Sequence, residues 1–146
     1  VTPIVHAIRP YCETDHDAVM GLWREAFGEG AGHNEPSGDI ARKVAFQREW
    51  FFVAIEDGDV VGTAMGGYDG HRGWVYRVAV RKSARGVGIG AALMGRVEQA
   101  LAAAGCPKVN LQVRQSNTGV IGFYERLGYQ VEPIVSMGKR IGEWAS

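Results

Sequence analysis

The stretch RKSARGVGIGAALMG, Arg81 to Gly95, sets three cations, Arg81, Lys82 and Arg85, immediately before Gly86, Gly88 and Gly90. An apolar helical pattern begins among those glycines, at Ile89. The start of a helix presents N–H groups with no intrahelical partner and a partial positive charge, which suits phosphate oxygens. Glycine lets such an anion approach the backbone with no Cβ in the way. The chemistry this spacing points to is the binding of a ligand that carries a diphosphate.

Three kinds of phosphate loop compete for the stretch. A P-loop closes on Gly-Lys-Ser/Thr, whereas Ala91-Ala92-Leu93 follow Gly90 here, so that reading fails. GVGIGA, Gly86 to Ala91, does fit the dinucleotide fingerprint G-x-G-x-x-G/A. That fingerprint turns tightly out of a first strand and expects an acidic residue about twenty positions on. Here polar residues intervene after Val80, and KVNLQVRQSN offers no Asp or Glu. Coenzyme A is the third candidate.

The elements that must position this loop follow from periodicity and turn signals. Ile4 to Ile8 is expected as a strand, and TDHDAVMGLWREAFG as a helix with Thr14 as its N-cap. Gly28 to Asp39 is a glycine-rich acidic loop, and Ile40 to Gln47 a second helix. WFFVAIE and VVGTAMGGY form a hairpin about DGD, and WVYRVAV returns after DGHRG. A long helix then runs from the glycines to about Ala104, closed by Gly105 and Pro107. KVNLQV is a strand, Asn117 to Leu127 a helix, and YQVEPIV and SMGKRI are final strands. The expected order is β-α-α-β-β-β-α-β-α-β-β, an α/β (α+β) fold. It is a mixed, mostly antiparallel sheet of about six to seven strands with helices on both faces, because short turns make antiparallel neighbours and a helical crossover returns a parallel one. Residues 1–146 are expected to form one domain.

Composition narrows the function classes. Lys+Arg and Asp+Glu are 16 each, and this zero net charge argues against a dedicated nucleic-acid binder. Cys12 and Cys106 are too few for a disulfide framework, which suggests an intracellular protein with free thiols, cytoplasmic in location. No apolar run reaches membrane-spanning length, and VTPIVHAIRP lacks the features of a signal peptide, so no membrane association is expected. His6, His16 and His33 show no ligand spacing, and no metal is assigned.

Two motifs together are similar to those of a known family. RVAVRKSARGVGIGAALM resembles the acetyl-CoA signature of the GNAT superfamily of N-acetyltransferases, Gln/Arg-x-x-Gly-x-Gly/Ala, with Arg85, Gly88 and Gly90 at its fixed positions. NTGVIGFYERLGY resembles the second signature, an Asn followed by Phe-Tyr and then Leu-Gly-Tyr/Phe. GTAMGGYDGHRGW also resembles a bacterial subgroup of small single-domain GNAT proteins. The resemblance implies a GNAT fold and transfer of an acetyl group from acetyl-CoA to a primary amine of a small molecule or protein. It places the pyrophosphate on the backbone of Arg85, Gly86, Val87, Gly88, Ile89, Gly90 and Ala91. It makes Val78, Ala79 and Val80 the strand that splays from its neighbour to admit the pantetheine, with Val80 among the amides that serve the acetyl carbonyl. Asn117 and Phe123 flank the coenzyme arm, and Tyr124 is the general acid for the leaving thiolate.

The acceptor side is less determined. Asp69, His71, Glu35 and Glu132 are candidates for the base, although YDGHRG is first of all a good hairpin turn. Glu29, Glu35 and Asp39 lie in a segment without Lys or Arg, which would favour a cationic amine; Tyr68 belongs with Asp69 and His71 as a further substrate contact. Trp50, Phe51 and Phe52 are core residues that could also build a homodimer contact. The alternative from another class is a non-catalytic acyl-CoA-binding or sensing domain, with a nucleotide-binding oxidoreductase behind it.

Overall fold

The structure is a computed structural model, and it describes residues 7–28 and 35–142 of the chain. Its strands are β1 (Ala7–Pro10), β2 (Phe51–Glu56), β3 (Asp59–Tyr68), β4 (Gly73–Val80) and β5 (Val109–Leu111). Its helices are α1 (His16–Phe27), α2 (Pro36–Ala45), α3 (Ile89–Ala103) and α4 (Thr118–Arg126). Short 3-10 turns at Glu13–Asp15, Arg48–Trp50 and Lys82–Ala84 link them. The strands lie side by side in chain order, antiparallel except for the parallel pair β4–β5. The expected mixed sheet, with helices on both faces, is therefore found.

β2 and β3 are buried on both faces, which explains why FFVAIE and VVGTAMGG read as continuous apolar runs. One core layer joins Phe52, Val61, Ala64 and Val75 to Ile89, Leu93, Met94, Val97 and Leu101 of α3. The other joins Phe51, Val53, Met65 and Ala79 to Val19, Leu22 and Trp23 of α1 and Ile40 of α2. The glycines of GTAMGG have a packing task. A Cβ at Gly62 would stand 2.9 Å from Leu93 Cδ1, and one at Gly66 2.7 Å from Val97 Cγ1. Their bareness seats α3 directly on β3.

Several boundaries differ from the expectation. β1 runs Ala7–Pro10, and residues 4–6 of the anticipated strand lie outside the described residues. Thr14 does not cap α1, because a 3-10 turn over Glu13–Asp15 precedes the helix. There the Asp15 carboxylate takes N–H bonds from Arg9, at 2.8 and 2.9 Å. α2 begins at Pro36 rather than Ile40, because the Glu35 carboxylate accepts from the amides of Ser37 and Gly38 and Pro36 opens the first turn. YQVEPIV and SMGKRI do not enter the sheet, so the described sheet has five strands rather than six or seven. Pro133 has no N–H for a ladder, and Val131, Ile134, Val135 and Met137 are exposed.

β4 departs from regular pairing on both of its edges. From Met65↔Tyr76 to Thr63↔Ala79, β4 takes three steps against two on β3, a bulge. Arg77 absorbs it at φ 53°, an unusual angle for a residue with a Cβ. It is held there from several sides. Its Nε donates to Asp39 Oδ2 at 2.8 Å, its guanidinium covers the Trp23 ring at 4.6 Å, and its carbonyl accepts Thr63 Oγ1 at 2.9 Å. Just before the bulge β4 leaves β5, since the parallel ladder covers only Gly73↔Val109, Trp74↔Asn110 and Val75↔Leu111.

Candidate active site

The divergence of β4 from β5 opens a gap beside residues 76–80, and the glycine loop lies at its end. Arg81 N–H bonds Val61 O at 2.8 Å, toward β3. Successive amides of a strand point to opposite edges, so Val80 N–H faces the gap. The Val80 carbonyl faces the same way and accepts Arg85 Nε at 3.0 Å. Arg85 thereby ties the start of the loop to the strand end. Arg81 is used structurally, with its guanidinium on Val60 O at 3.0 Å, and the Lys82 amide donates to Glu25.

The loop glycines have separate tasks. Gly86 and Gly88 both sit at φ 87°, and a Cβ at either would meet no atom within 4 Å. They shape the loop while leaving its outer side open. The first bond of α3 runs from Ala92 N–H to Gly88 O at 3.0 Å, so the amides of Ile89, Gly90 and Ala91 begin the helix with no preceding turn to accept them. Gly90 serves packing as well. A Cβ there would stand 3.1 Å from Phe123 Cζ and 3.7 Å from Val80 Cγ2. Strand, loop and α4 thus converge at Gly90.

That convergence brings the second motif to the gap. Phe123 and Tyr124 pack with Val78 and Val80 against one core cluster. The Tyr124 ring meets Phe123 edge-on at 5.0 Å and Tyr129 edge-on at 5.9 Å. Burial pushes the Tyr124 phenol above its ordinary value, so it carries its proton at neutral pH. Asn117 stands at the N-cap of α4, with its backbone N–H donating to Arg114 O at 2.8 Å. A loop of open amides, a strand amide facing a gap and a protonated phenol can together hold a diphosphate, stabilise an oxyanion and give up a proton.

The acceptor-side candidates are not brought there as a group. Tyr68, Asp69 and His71 lie where β3 turns into β4, and the Tyr68 hydroxyl stands 3.5 Å from Gly105 O, beyond the C-terminal end of α3. The helix has 15 residues, which separates this end from the glycine loop by about 22 Å. The Asp69 carboxylate caps its own turn, accepting the amides of His71 at 2.8 Å and Arg72 at 2.7 Å. Glu35 caps α2, Asp39 pairs with Arg77, and Glu132 pairs with Lys108 at 2.6 Å. Glu29 lies outside the described residues.

Sequence reasoning missed one polar cluster on the α1–α2 face of β4. Lys43 is buried, donates to Gly66 O and stands 5.3 Å from the centre of the Tyr76 ring. Burial lowers its ammonium to about 8, and burial with the nearby Asp39 pushes the Tyr76 phenol up to about 12. Nothing in DIARKVAFQ distinguishes Lys43 from a solvated helix cation, so no signal was available. Among the described residues no group of His, Cys, Asp and Glu could hold a metal, and no helix is long and apolar enough to cross a membrane.

Comparison with known proteins identifies the family and the fold. Residues 16–129 match the Acetyltransferase (GNAT) family. A protein of Pectobacterium atrosepticum named as an acetyltransferase is 44% identical over 136 residues, covering 93% of this chain and 96% of that relative. The structure of Naa20 from Chaetomium thermophilum with a bisubstrate analogue has a TM-score of 0.73 at 26% identity, over 86% of this chain and 71% of that one. AAC(6')-Iy, solved with the bisubstrate analogue CoA-S-monomethyl-acetylneamine, shares the fold with a TM-score of 0.73 at 20% identity, over 94% and 99%. The span of the family match and the closeness of the Pectobacterium relative show that this chain belongs to the GNAT acetyltransferase family.

Proposed function

We propose that the protein, acting as one domain, moves an acetyl group from acetyl-CoA to a primary amine of a small molecule or protein. The observation that carries this reading is the convergence at Gly90, where the open loop, the gap beside β4 and α4 meet. The amides from Gly86 to Ala91 receive the pyrophosphate, and the pantetheine lies along Val78–Val80. The amine nitrogen attacks the thioester carbonyl, and Val80 N–H holds the oxygen as it becomes negative. Collapse of the tetrahedral intermediate breaks the C–S bond. Tyr124 gives its proton to the departing thiolate, and the proton lost by the amine restores the phenol through water. The raised phenol value supports this role, because Tyr124 enters the reaction protonated. A cytoplasmic setting suits a reaction that draws on acetyl-CoA.

Two measurements test the proposal. Acetyl-CoA at 100 times its dissociation constant should stabilise the fold by about 2.7 kcal/mol, and NAD should not. A panel of amines should then reveal one that releases CoA from acetyl-CoA. Stabilisation by NAD alone would overturn the coenzyme assignment. Stabilisation by acetyl-CoA with no release across the panel would favour a binding domain.

A further inference from the structure

The Tyr124 phenol is the middle member of a row of three rings. Phe123 meets it edge-on at 5.0 Å and Tyr129 edge-on at 5.9 Å. Both outer rings are fastened to α3, the helix that the glycine loop opens. Phe123 sits against Gly90, where a Cβ would stand 3.1 Å from its Cζ. The Tyr129 hydroxyl donates to Glu98 Oε2 at 2.6 Å. Glu98 follows Gly90 by somewhat more than two turns, so the two fastenings lie about 12 Å apart along the helix.

The local sequence builds the outer fastening. Gly128 takes φ 96°, a left-handed angle that turns the chain back after α4. Tyr129 N–H then donates to Tyr124 O at 3.1 Å, and the Tyr129 ring comes edge-on against that of Tyr124. Glu98 is half-buried beside Val97, on the flank of the apolar stripe of α3. A carboxylate so placed needs a donor, and the phenol supplies a short bond of the charge-assisted kind. Neither Glu98 nor the Tyr129 hydroxyl takes part in the proposed reaction. Edge-on packing fixes the tilt of one ring against the next, so Tyr124 points where its two neighbours allow. Proton transfer needs the phenol oxygen within hydrogen-bond reach of the thiolate, and small errors of direction are costly there.

We propose that Glu98 is a positioning residue for Tyr124. Its bond to the Tyr129 hydroxyl fixes the outer ring of the row, and that ring fixes the direction of the acid. One helix thereby serves the coenzyme through its first amides and the proton donor through Glu98. The inference rests on Tyr124 being the acid.

Three variants test it, each read by turnover, by acetyl-CoA affinity and by the NMR signals of the Tyr124 ring in tyrosine-labelled protein. Tyr129→Phe removes the donor, Glu98→Leu removes the acceptor, and Glu98→Gln keeps an acceptor oxygen. Well below every melting midpoint, the first two should each lower kcat about tenfold, less than the hundredfold that a misplacement of about 1 Å can cost. The dissociation constant for acetyl-CoA should stay within about twofold. Combining the two should cost no more than either alone, because both break one bond. Glu98→Gln should stay near the wild type. Glu98→Leu leaves both tyrosine rings intact, so a moved Tyr124 signal in that variant reports a change of direction. In a Tyr124→Phe background, Tyr129→Phe should lower kcat no further, a result that a general loss of stability does not produce. Unmoved Tyr124 signals in Glu98→Leu would overturn the proposal, whether or not an amine acceptor is in hand. So would full turnover in Tyr129→Phe, or an equal loss on both backgrounds. The acid itself is judged by Tyr124→Phe alone. A slow Tyr124→Phe beside a normal Tyr129→Phe would remove Glu98 from the mechanism and leave the proposed reaction standing.

Discussion

The two ends of α3 are built from similar materials and do different things. Each adjoins glycine-rich polar turns beside a strand end of β4. At the C-terminal end several backbone donors are engaged. Asp69 takes the amides of His71 and Arg72, Gly73 N–H bonds Lys108 O at 2.9 Å, and Gly105 and Cys106 donate back to the helix. Gly73 itself is walled in, since a Cβ there would lie 2.7 Å from Cys106 Sγ. At the N-terminal end the first amides of the helix have no turn before them, and space lies outside Gly86 and Gly88. Glycine content does not separate the two ends. What separates them is whether the backbone donors already have acceptors.

If chemistry belongs to the N-terminal end, the largest single effect should come from the Tyr124 phenol on α4, which packs beside it. Tyr124→Phe removes one hydroxyl and keeps the ring contacts with Phe123 and Tyr129. Turnover should fall about 10²–10⁴-fold with acetyl-CoA affinity little changed. Steady-state kinetics beside calorimetry would show this. Equal turnover would reduce Tyr124 to packing and remove the distinction between the ends.

Next comes a matched pair of glycines. Gly88 and Gly70 share a left-handed φ, 87° and 90°, and a Cβ meets no atom within 4 Å at either. Backbone strain should therefore be similar for Gly88→Val and Gly70→Val. Only the first should weaken acetyl-CoA, by at least about tenfold, or 1.4 kcal/mol. Calorimetry on both folded variants sharpens the comparison, and equal losses of affinity would break it.

Much of the N-terminal end was legible in the sequence. The cations, the glycine spacing and the apolar onset at Ile89 are local features, and local features survive in a linear reading. The rest depended on tertiary geometry. The gap exists because β4 and β5 pair over only three residues, and the bulge alongside it rests on Arg77, whose φ no residue type announces. Gly90 also has a packing contact, which only the position of Phe123 reveals. Glu35 and Asp39 resembled free loop charges, yet one caps α2 and the other holds Arg77. The strands expected at YQVEPIV and SMGKRI join no ladder of the described sheet, and nothing local to those residues announces that.

The C-terminal end should respond to pH through stability. On the α2 side it is closed by Lys43 on Gly66 O and by Gln47, which exchanges hydrogen bonds with the Tyr68 backbone at 2.9 and 3.2 Å. Burial holds Lys43 near 8, below the ordinary lysine value of 10.5. Between those values the unfolded chain binds more protons at this site, so its contribution to stability rises with pH there. Wild type should gain up to about 1 kcal/mol on Lys43→Met between pH 8 and 9. Denaturant curves at the two pH values provide the check. Parallel shifts in both proteins would show Lys43 titrating normally.

The smallest effect is expected at Asp69, and it separates the two ends most cleanly. Asp69 was a candidate base from its place in YDGHRG. The structure sets it in the turn from β3 to β4, toward the end of α3 opposite the glycine loop, with the amides of His71 and Arg72 on its carboxylate. The backbone N–H groups of Arg72 and then His71 hold that carboxyl below its usual value. A depressed value means that the stabilisation is complete above the unfolded value near 4 and fades as pH falls through the folded one. Asp69→Ala should therefore lower the melting midpoint slightly at pH 7, by less than about 4 °C. The difference from wild type should shrink as pH falls below 4. Turnover and both Michaelis constants at pH 7 should match the wild type, because the turn touches no part of the gap. A base would behave otherwise, since its removal slows the reaction at every pH where it was ionised, whatever the melting curve does. A large loss of turnover in Asp69→Ala would therefore put chemistry at the C-terminal end of α3, and the contrast between satisfied and open donors would no longer locate the active site.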